Sequence, residues 1–416
     1  MRGIRVVLLS PLPPERTGIA DYAAHWRRAA NGAGVEVLTP LQGQRPIESL
    51  QAARRWVSER DWSRVDVVHA ELGGGRHGEF FVLAALSELR DRPALSATAH
   101  DPERLVWRPV ARWWRAIDAS RVLPSWFNKI TAVLVDPHTL MSERRLAKRL
   151  DGLVTLTRTG AQALSKRMRL VPERVSVIPH GVLRLPVVPL PDDTVLRVLY
   201  FGYIYSGKGI EDLVDAVGQV VKQHPEHAGR IRLTIAGGTA PEMTFGGARS
   251  YLDELRQRVA DRGIAGHVDW ELDVEEPDIP ALIQRHHLVV LPYRESRKLS
   301  LLGQMRGTSG ALAWAIGCGR AVITSDARSF AEEISQGNGM AYKQGQVGQL
   351  AQALYDLLVD PSKLIEWTRA AGRVAEARQW ERTGHAFAGH FQQVVQRRGK
   401  ARARAGLPPV ANRGQA

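Results

Sequence analysis

The chain predicts an α/β fold of two doubly wound, Rossmann-like domains facing across a cleft. Short runs rich in Val, Ile and Leu alternate with helical patterns from one end to nearly the other. The runs are continuously apolar, which is the pattern of parallel strands covered by helices on both faces. Two of them lead into glycine-bearing loops followed by helices, one in each half. Between the halves lies 185–191, a stretch with three prolines.

In the first half the strands are expected at 4–9, 35–38, 65–70, 95–100, 153–157 and 175–178. In the second half they are expected at 195–201, 231–236, 267–272, 288–292, 321–324 and 340–342. The domains follow as 1–185, with a returning C-terminal helix at about 376–395, and 186–375. The basic tail 396–416 is expected to be disordered.

Val6-Val7-Leu8-Leu9 runs into Ser10-Pro11-Leu12-Pro13-Pro14-Glu15-Arg16-Thr17-Gly18. Val198-Leu199-Tyr200 runs into Phe201-Gly202-Tyr203-Ile204-Tyr205-Ser206-Gly207-Lys208-Gly209. A strand end, a glycine turn and a helix N-terminus together suit an anionic group, because unpaired amides and the positive end of the helix dipole face outward there. In doubly wound sheets, ligands bind outside the carboxyl ends of the strands, where both loops sit.

At 416 residues the chain has room for two or three cores. No run of about 18 apolar residues occurs, so no membrane span is expected. The first apolar stretch is too short for a signal-peptide core and reads as a strand. The lone Cys318 has no partner for an intramolecular disulfide and reads as a small buried residue in a reducing cytosol.

The net charge of +14 is concentrated in two segments: 104–129 contributes five net positive charges and the end of the chain six. The bulk is therefore mildly basic, which argues against a nucleic-acid binder and for local anionic contacts. Within 104–129, Val110, Trp113, Trp114 and Ile117 share one helix face, with Arg112 and Arg115 behind. That face suits packing on its own domain or docking on an anionic leaflet.

Several residues stand where chemistry is expected, each with a structural alternative. His100 ends an apolar strand beside Asp101. Lys208 lies between two glycines. Gly18 serves a turn or a close backbone approach. Arg294, Arg297, Lys298 and Arg306 face Glu295 alone in one loop, either as a solvated run or as phosphate ligands. Thr308, Ser309 and Gly310 open a helix. The loop from Glu71 to His77 is a flexible connection or an acceptor-facing wall, with Glu71 or His77 orienting a hydroxyl. There is no Asp-x-Asp and no His/Cys cluster with zinc spacing, so chemistry without a metal is expected.

The ordered set of motifs resembles the retaining family 4 glycosyltransferases of the two-domain GT-B fold. Pro14 to Tyr22 resembles the first-loop pattern, Thr98-Ala99-His100-Asp101 the histidine motif, and Ile178-Pro179-His180-Gly181-Val182 the segment before the domain crossing. Gly202 to Gly209 with Lys208 resembles the start of the second domain, and Ile235-Ala236-Gly237-Gly238 its second strand. Ser309 to Ile323, followed by Glu332-Glu333, resembles the donor-site helix.

Two departures stand out. Tyr203 occupies the place of a usual arginine, and Arg306 and Trp314 occupy the places of two usual glutamates. The resemblance implies a nucleotide-sugar donor (GDP- or UDP-linked) as substrate, no cofactor, and a glycan or lipid-linked acceptor in surface polysaccharide or glycolipid assembly. It implies catalytic roles for His100, Lys208 and Arg306. Donor contacts are implied at Gly18, Gly202, Tyr203, Gly237, Arg294, Thr308, Ser309, Gly310, Leu312 and Glu333. A cytoplasmic enzyme, peripheral on the inner membrane face through 104–129, is the setting expected. A catalytically inactive partner subunit, or a phosphorylase or epimerase on the same fold, is the alternative.

Overall fold

The computed structural model describes residues 3–73, 75–106, 125–192, 194–238, 248–295 and 302–404. The chain divides into two compact units. Unit 1 comprises Met1–Pro179, Leu299–Gly307 and Glu381–Ala416; unit 2 comprises His180–Lys298 and Thr308–Trp380.

Unit 1 is built on β1 (Arg5–Leu9), β2 (Glu36–Leu38), β3 (Val67–Leu72), β4 (Ala94–Ala99), β5 (Gly152–Thr155) and β6 (Val175–Val177). These pair in parallel in the order β2-β1-β3-β4-β5-β6. Its helices are α1 (Gly18–Gly32), α2 (Leu50–Ser58), α3 (Gly78–Leu86), α4 (Ser125–Arg149) and α5 (Arg158–Met168). Helix α1 starts where it does because Thr17 Oγ1 accepts from the Ala20 amide at 3.1 Å; Ser49 and Thr157 cap α2 and α5 in the same way. The inner strands β3 and β4 are buried at every position, as continuous apolar runs require.

Unit 2 carries β7 (Leu196–Phe201), β8 (Ile231–Gly237), β9 (Val268–Leu272), β10 (Leu288–Leu291), β11 (Ala321–Ser325) and β12 (Gly339–Tyr342). Their order, β12-β11-β10-β7-β8-β9, reverses direction between β7 and β10. Its helices are α6 (Ile210–Gln223), α7 (Ala248–Asp261), α8 (Ile279–Gln284), α9 (Gly310–Gly317), α10 (Phe330–Glu333), α11 (Val347–Val359) and α12 (Ser362–Ala377). Where β7 and β8 end, the chain passes so close to itself that a Cβ on Gly237 would lie 2.0 Å from the Gly202 carbonyl oxygen. Gly237 also has φ 135, so glycine is needed there on both counts.

All twelve expected strands form, each within two residues of the sequence reading. The stretch 185–191, expected as the linker between the halves, is held to unit 2 by Arg320, which is 1% exposed. Its guanidinium donates to the carbonyls of Val188, Pro189, Gln284 and His286 at 2.5 to 2.9 Å. The tail is not disordered from 396, because the helix Trp380–Arg404 continues through that point. Its basic residues are anchors: Arg397 donates to Glu173 O, Arg398 to Arg90 O, and Arg402 to Asp91. Residues 405–416 lie outside the described residues, as do 107–124, and with them the tryptophan face expected there.

Candidate active site

In unit 1 the site forms at the carboxyl ends of β3 and β4. Strand β3 runs two residues further than expected, which carries Glu71 inside, where it is 1% exposed. The reading of Glu71 as an acceptor-facing wall is therefore corrected. Its carboxylate holds His100, whose Nε2 lies 2.7 Å from Glu71 Oε2, while His69 Nε2 lies 3.2 Å from Oε1. Burial alone would raise the Glu71 pKa, but the hydrogen bonds and charge of His100 and His69 outweigh it and hold the group at about 2.

Behind Glu71 the polar contacts continue. His69 Nδ1 meets Ser96 Oγ at 3.1 Å, Ser96 Oγ meets His390 Nε2 at 2.8 Å, and His390 Nδ1 meets Ser176 Oγ at 3.1 Å. Burial pushes the His390 pKa down to about 3, so this ring is neutral. With Glu71 ionised and His390 neutral, one assignment of protons satisfies every member. Ser176 donates to His390, His390 to Ser96 and Ser96 to His69, whose Nε2–H is shared between Thr98 Oγ1 at 3.0 Å and the Glu71 carboxylate. Trp26 stacks on His69 at 5.5 Å, and Tyr22 meets the edge of His100 at 5.0 Å, so rings and hydrogen bonds fix both imidazoles.

Residues 302–307 pack on the same end of unit 1. A Cβ on Gly307 would sit 2.1 Å from the His100 carbonyl oxygen. Arg306 Nε lies 3.5 Å from Glu103 Oε1, and its Nη2 bonds Gln304. Arg306, expected to supply charge to a donor phosphate, pairs within unit 1 with Glu103. Arg104, at the start of the basic segment 104–129, is buried on Glu143, Asp136 and the Leu302 carbonyl. His77 stacks on Phe81 at the start of α3. Gly18 opens α1 with nothing within 4 Å of where a Cβ would stand.

In unit 2 the residues converge where the strand order reverses, around Tyr293 just past β10. Lys208 is 8% exposed, with Nζ 3.8 Å from the centre of the Tyr293 ring and 5.0 Å from that of Tyr205. The Tyr293 hydroxyl meets Ser309 Oγ at 3.0 Å. Ser309 is thereby drawn off the end of α9 and does not cap it, so among the described residues nothing accepts from the amides of Gly310 and Ala311. A Cβ on Gly202 would lie 3.7 Å from both the Tyr293 hydroxyl and the Ala311 Cβ, which places the glycine turn at the same spot. Arg328, in the turn after β11, has its Cζ 5.0 Å from the Tyr293 ring centre and donates from Nη1 to the Thr308 carbonyl at 3.0 Å. Burial pushes the Tyr293 pKa up, but Lys208, Arg328 and the bond to Ser309 more than offset it and leave the phenol below its ordinary value.

Three expected donor residues are committed elsewhere. Arg294 forms a two-pronged pair with Asp212 in the first turn of α6. Glu333 is buried against Arg378 at 2.5 Å, tying α10 to the end of α12. Leu312 is fully buried in the core, and its amide already bonds Ser309 O. The Tyr203 carbonyl accepts from the Tyr200 hydroxyl at 2.9 Å, so its backbone shapes the turn. Arg297 and Lys298 lie outside the described residues. Cys318 is buried as expected, its pKa pushed up to about 12 by burial.

The sequence reading missed Tyr293, Arg328, His69 and His390. Tyr293 and Arg328 had a usable signal, since each follows a strand's carboxyl end. Nothing in the sequence marked His69 and His390 as partners 321 positions apart.

Comparison with known proteins decides the family. Residues 1–182 match the profile described as Glycosyltransferase Family 4, and residues 196–360 that of Glycosyl transferases group 1. The chain belongs to family 4 of the GT-B glycosyltransferases. This family 4 chain is 23% identical over 275 residues to the D-inositol 3-phosphate glycosyltransferase of Kineococcus radiotolerans, covering 63% of this chain and 62% of that protein. It is 26% identical over 277 residues to the protein of the same name from Stackebrandtia nassauensis, covering 63% and 59%. The match thus spans about six-tenths of the length of these curated relatives.

Among solved structures, sucrose-phosphate synthase from Thermosynechococcus elongatus superposes with TM-score 0.69 at 16% identity, over 94% of this chain and 99% of that one. HepE from Anabaena, in complex with UDP-glucose, gives 0.64 at 16% identity, over 93% and 98%. Both likenesses are of fold: two Rossmann-like domains. Among the described residues, no helix is long and apolar enough to cross a membrane, and no group of three or more His, Cys, Asp or Glu residues is placed to hold a metal ion.

Proposed function

We propose that the protein is a retaining glycosyltransferase that moves a hexosyl group from a UDP- or GDP-sugar to an acceptor hydroxyl without a metal ion. The observation that carries this reading is Lys208. It is 8% exposed, and no carboxylate of the described residues lies within 4 Å of its ammonium group. The buried arginines have acids or carbonyls to hold: Arg92 has Asp151, Arg104 has Glu143, and Arg320 has four carbonyls. A buried cation beside two open helix amides suits a ligand that brings its own negative charge.

In the reaction, the bond from the anomeric carbon to the β-phosphate oxygen breaks and a bond to the acceptor oxygen forms, with the acceptor proton leaving on the diphosphate side. Lys208 and the amides of Gly310 and Ala311 stabilise the charge that gathers on the departing diphosphate. His100, held by Glu71, serves the sugar and acceptor side. The setting proposed is surface polysaccharide or glycolipid assembly in the cytoplasm, at the inner membrane face.

The test is a panel of UDP- and GDP-sugars with sugar, glycolipid and phosphocyclitol acceptors, run in excess chelator, with the product anomer read by NMR. The curated relatives' printed name places phosphorylated inositol in that panel. Transfer with retention in chelator is expected; inversion, or rescue only by added metal, sinks the mechanism. Binding of a nucleoside diphosphate without transfer to any acceptor would favour an inactive partner subunit, a reading motivated by Arg306 and Trp314 at the usual glutamate positions.

A further inference from the structure

We propose that Arg328 is a second diphosphate ligand, supplying from the turn after β11 the positive charge that Tyr203 does not supply after β7. This inference rests on the donor-site reading above. Three features of the structure lead to it.

The first is convergence. Lys208 and Arg328 approach the same ring from different strand ends, at 3.8 and 5.0 Å from the Tyr293 centre. An anion placed at this ring would gain from both cations at once. The second is aim. The Arg328 guanidinium donates to the carbonyl of Thr308, two residues before Gly310, which keeps it at the open end of α9. A planar guanidinium with five donors can hold that carbonyl and a phosphate together.

The third is backbone conformation. Arg328 has φ 56, a left-handed conformation that glycine adopts freely and a long side chain does not. The surrounding chain enforces it, since the Arg328 amide donates to Glu295 Oε1 at 2.9 Å and the Glu295 amide donates to Gln344 Oε1 at 2.9 Å. Glycine would satisfy this turn with less strain. An arginine kept at a position that favours glycine points to work done by its side chain.

That strain makes the proposal testable against a purely structural role. The full chain and its Arg328→Gly and Arg328→Lys variants are melted alone, then titrated calorimetrically with UDP and with GDP. Arg328→Gly is expected to melt at or above the unmutated temperature while binding the preferred diphosphate about ten- to a hundredfold more weakly. Arg328→Lys is expected to recover part of that affinity, since it restores charge without the fork. Unchanged diphosphate affinity in Arg328→Gly overturns the proposal. A lowered melting temperature with unchanged affinity also overturns it, and assigns Arg328 to the fold. If the unmutated protein binds neither UDP nor GDP, the donor-site reading itself falls and takes this inference with it.

Discussion

Units 1 and 2 each place their chemistry at the carboxyl edge of a six-stranded parallel sheet, but they handle charge in opposite ways. Unit 1 buries the Glu71 carboxylate at this edge and satisfies it with donors that run back through His69, Ser96 and His390 to Ser176. Unit 2 gathers Lys208, Arg328 and the open end of α9 around the Tyr293 phenol, with no carboxylate of the described residues paired to Lys208. The first arrangement is complete without a ligand and holds a side chain in place. The second brings two cations and two open amides to one place, which under the proposed function an anionic ligand would complete. Positioning and binding are thus divided between the two sheets, and each division can be broken separately.

The largest effect is expected from Lys208→Ala. Removing one preorganised donor to a developing charge costs about 3 to 4 kcal/mol of transition-state stabilisation, or roughly a hundred- to a thousandfold in rate. Initial rates at saturating and subsaturating donor check it, and unchanged rates would remove the cationic side of the comparison. Next comes Glu71→Gln. The amide turns two donors toward His100 or His69, leaving a buried donor unpaired at a cost of about 1 to 3 kcal/mol, read by chemical denaturation. Turnover should fall while nucleoside diphosphate affinity stays at the unmutated value. Equal loss of both would mean that Glu71 supports the whole molecule rather than His100.

Acid separates the units more gently. His390 in unit 1 and His286 in unit 2 are held neutral by burial, with pKa values lowered to about 3 and about 4. Unfolded histidines bind protons below about 6.5. The unfolded state therefore gains protons first, and stability falls as pH drops from there toward 3 and 4. Glu71 adds a further loss between its unfolded value, about 4.3, and its folded value of about 2. A melting series across this range should show His390→Asn flattening the slope between about 6.5 and 3; an unaltered slope contradicts a His390 held neutral by burial. The smallest effect is expected from Gly18→Ala, which meets open space. Stability should move by less than about 0.5 kcal/mol. A drop in turnover at unchanged stability would bring α1 into the ligand site.

The strands were legible because buried parallel strands must be apolar throughout, and runs such as Leu288 to Leu291 have no other reading. Lys208 was legible from its glycine turn. Glu71 was not, because a glutamate before three glycines reads as loop. Only the pairing of β3 with β4, Glu71 against Thr98, shows that the strand extends over it. Arg294, Arg306 and Glu333 read as ligands because sequence shows a charge but not its partner; Asp212, Glu103 and Arg378 neutralise them in space. The basic end of the chain read as disorder for the same reason, since its anchoring carbonyls at Glu173 and Arg90 are distant in sequence.

The grip of Arg320 on 185–191 has a consequence for proteolysis. Val187 is 96% exposed, and the stretch would ordinarily invite cleavage. A protease needs several residues of backbone drawn out into its cleft, and here the neighbouring carbonyls of Val188 and Pro189 are tied to the buried guanidinium of Arg320. Freeing them exposes a buried arginine, so the segment opens with the body of unit 2 rather than by local fraying. Nicking at this site then tracks the global unfolding equilibrium of unit 2 and slows with every ligand that stabilises that unit.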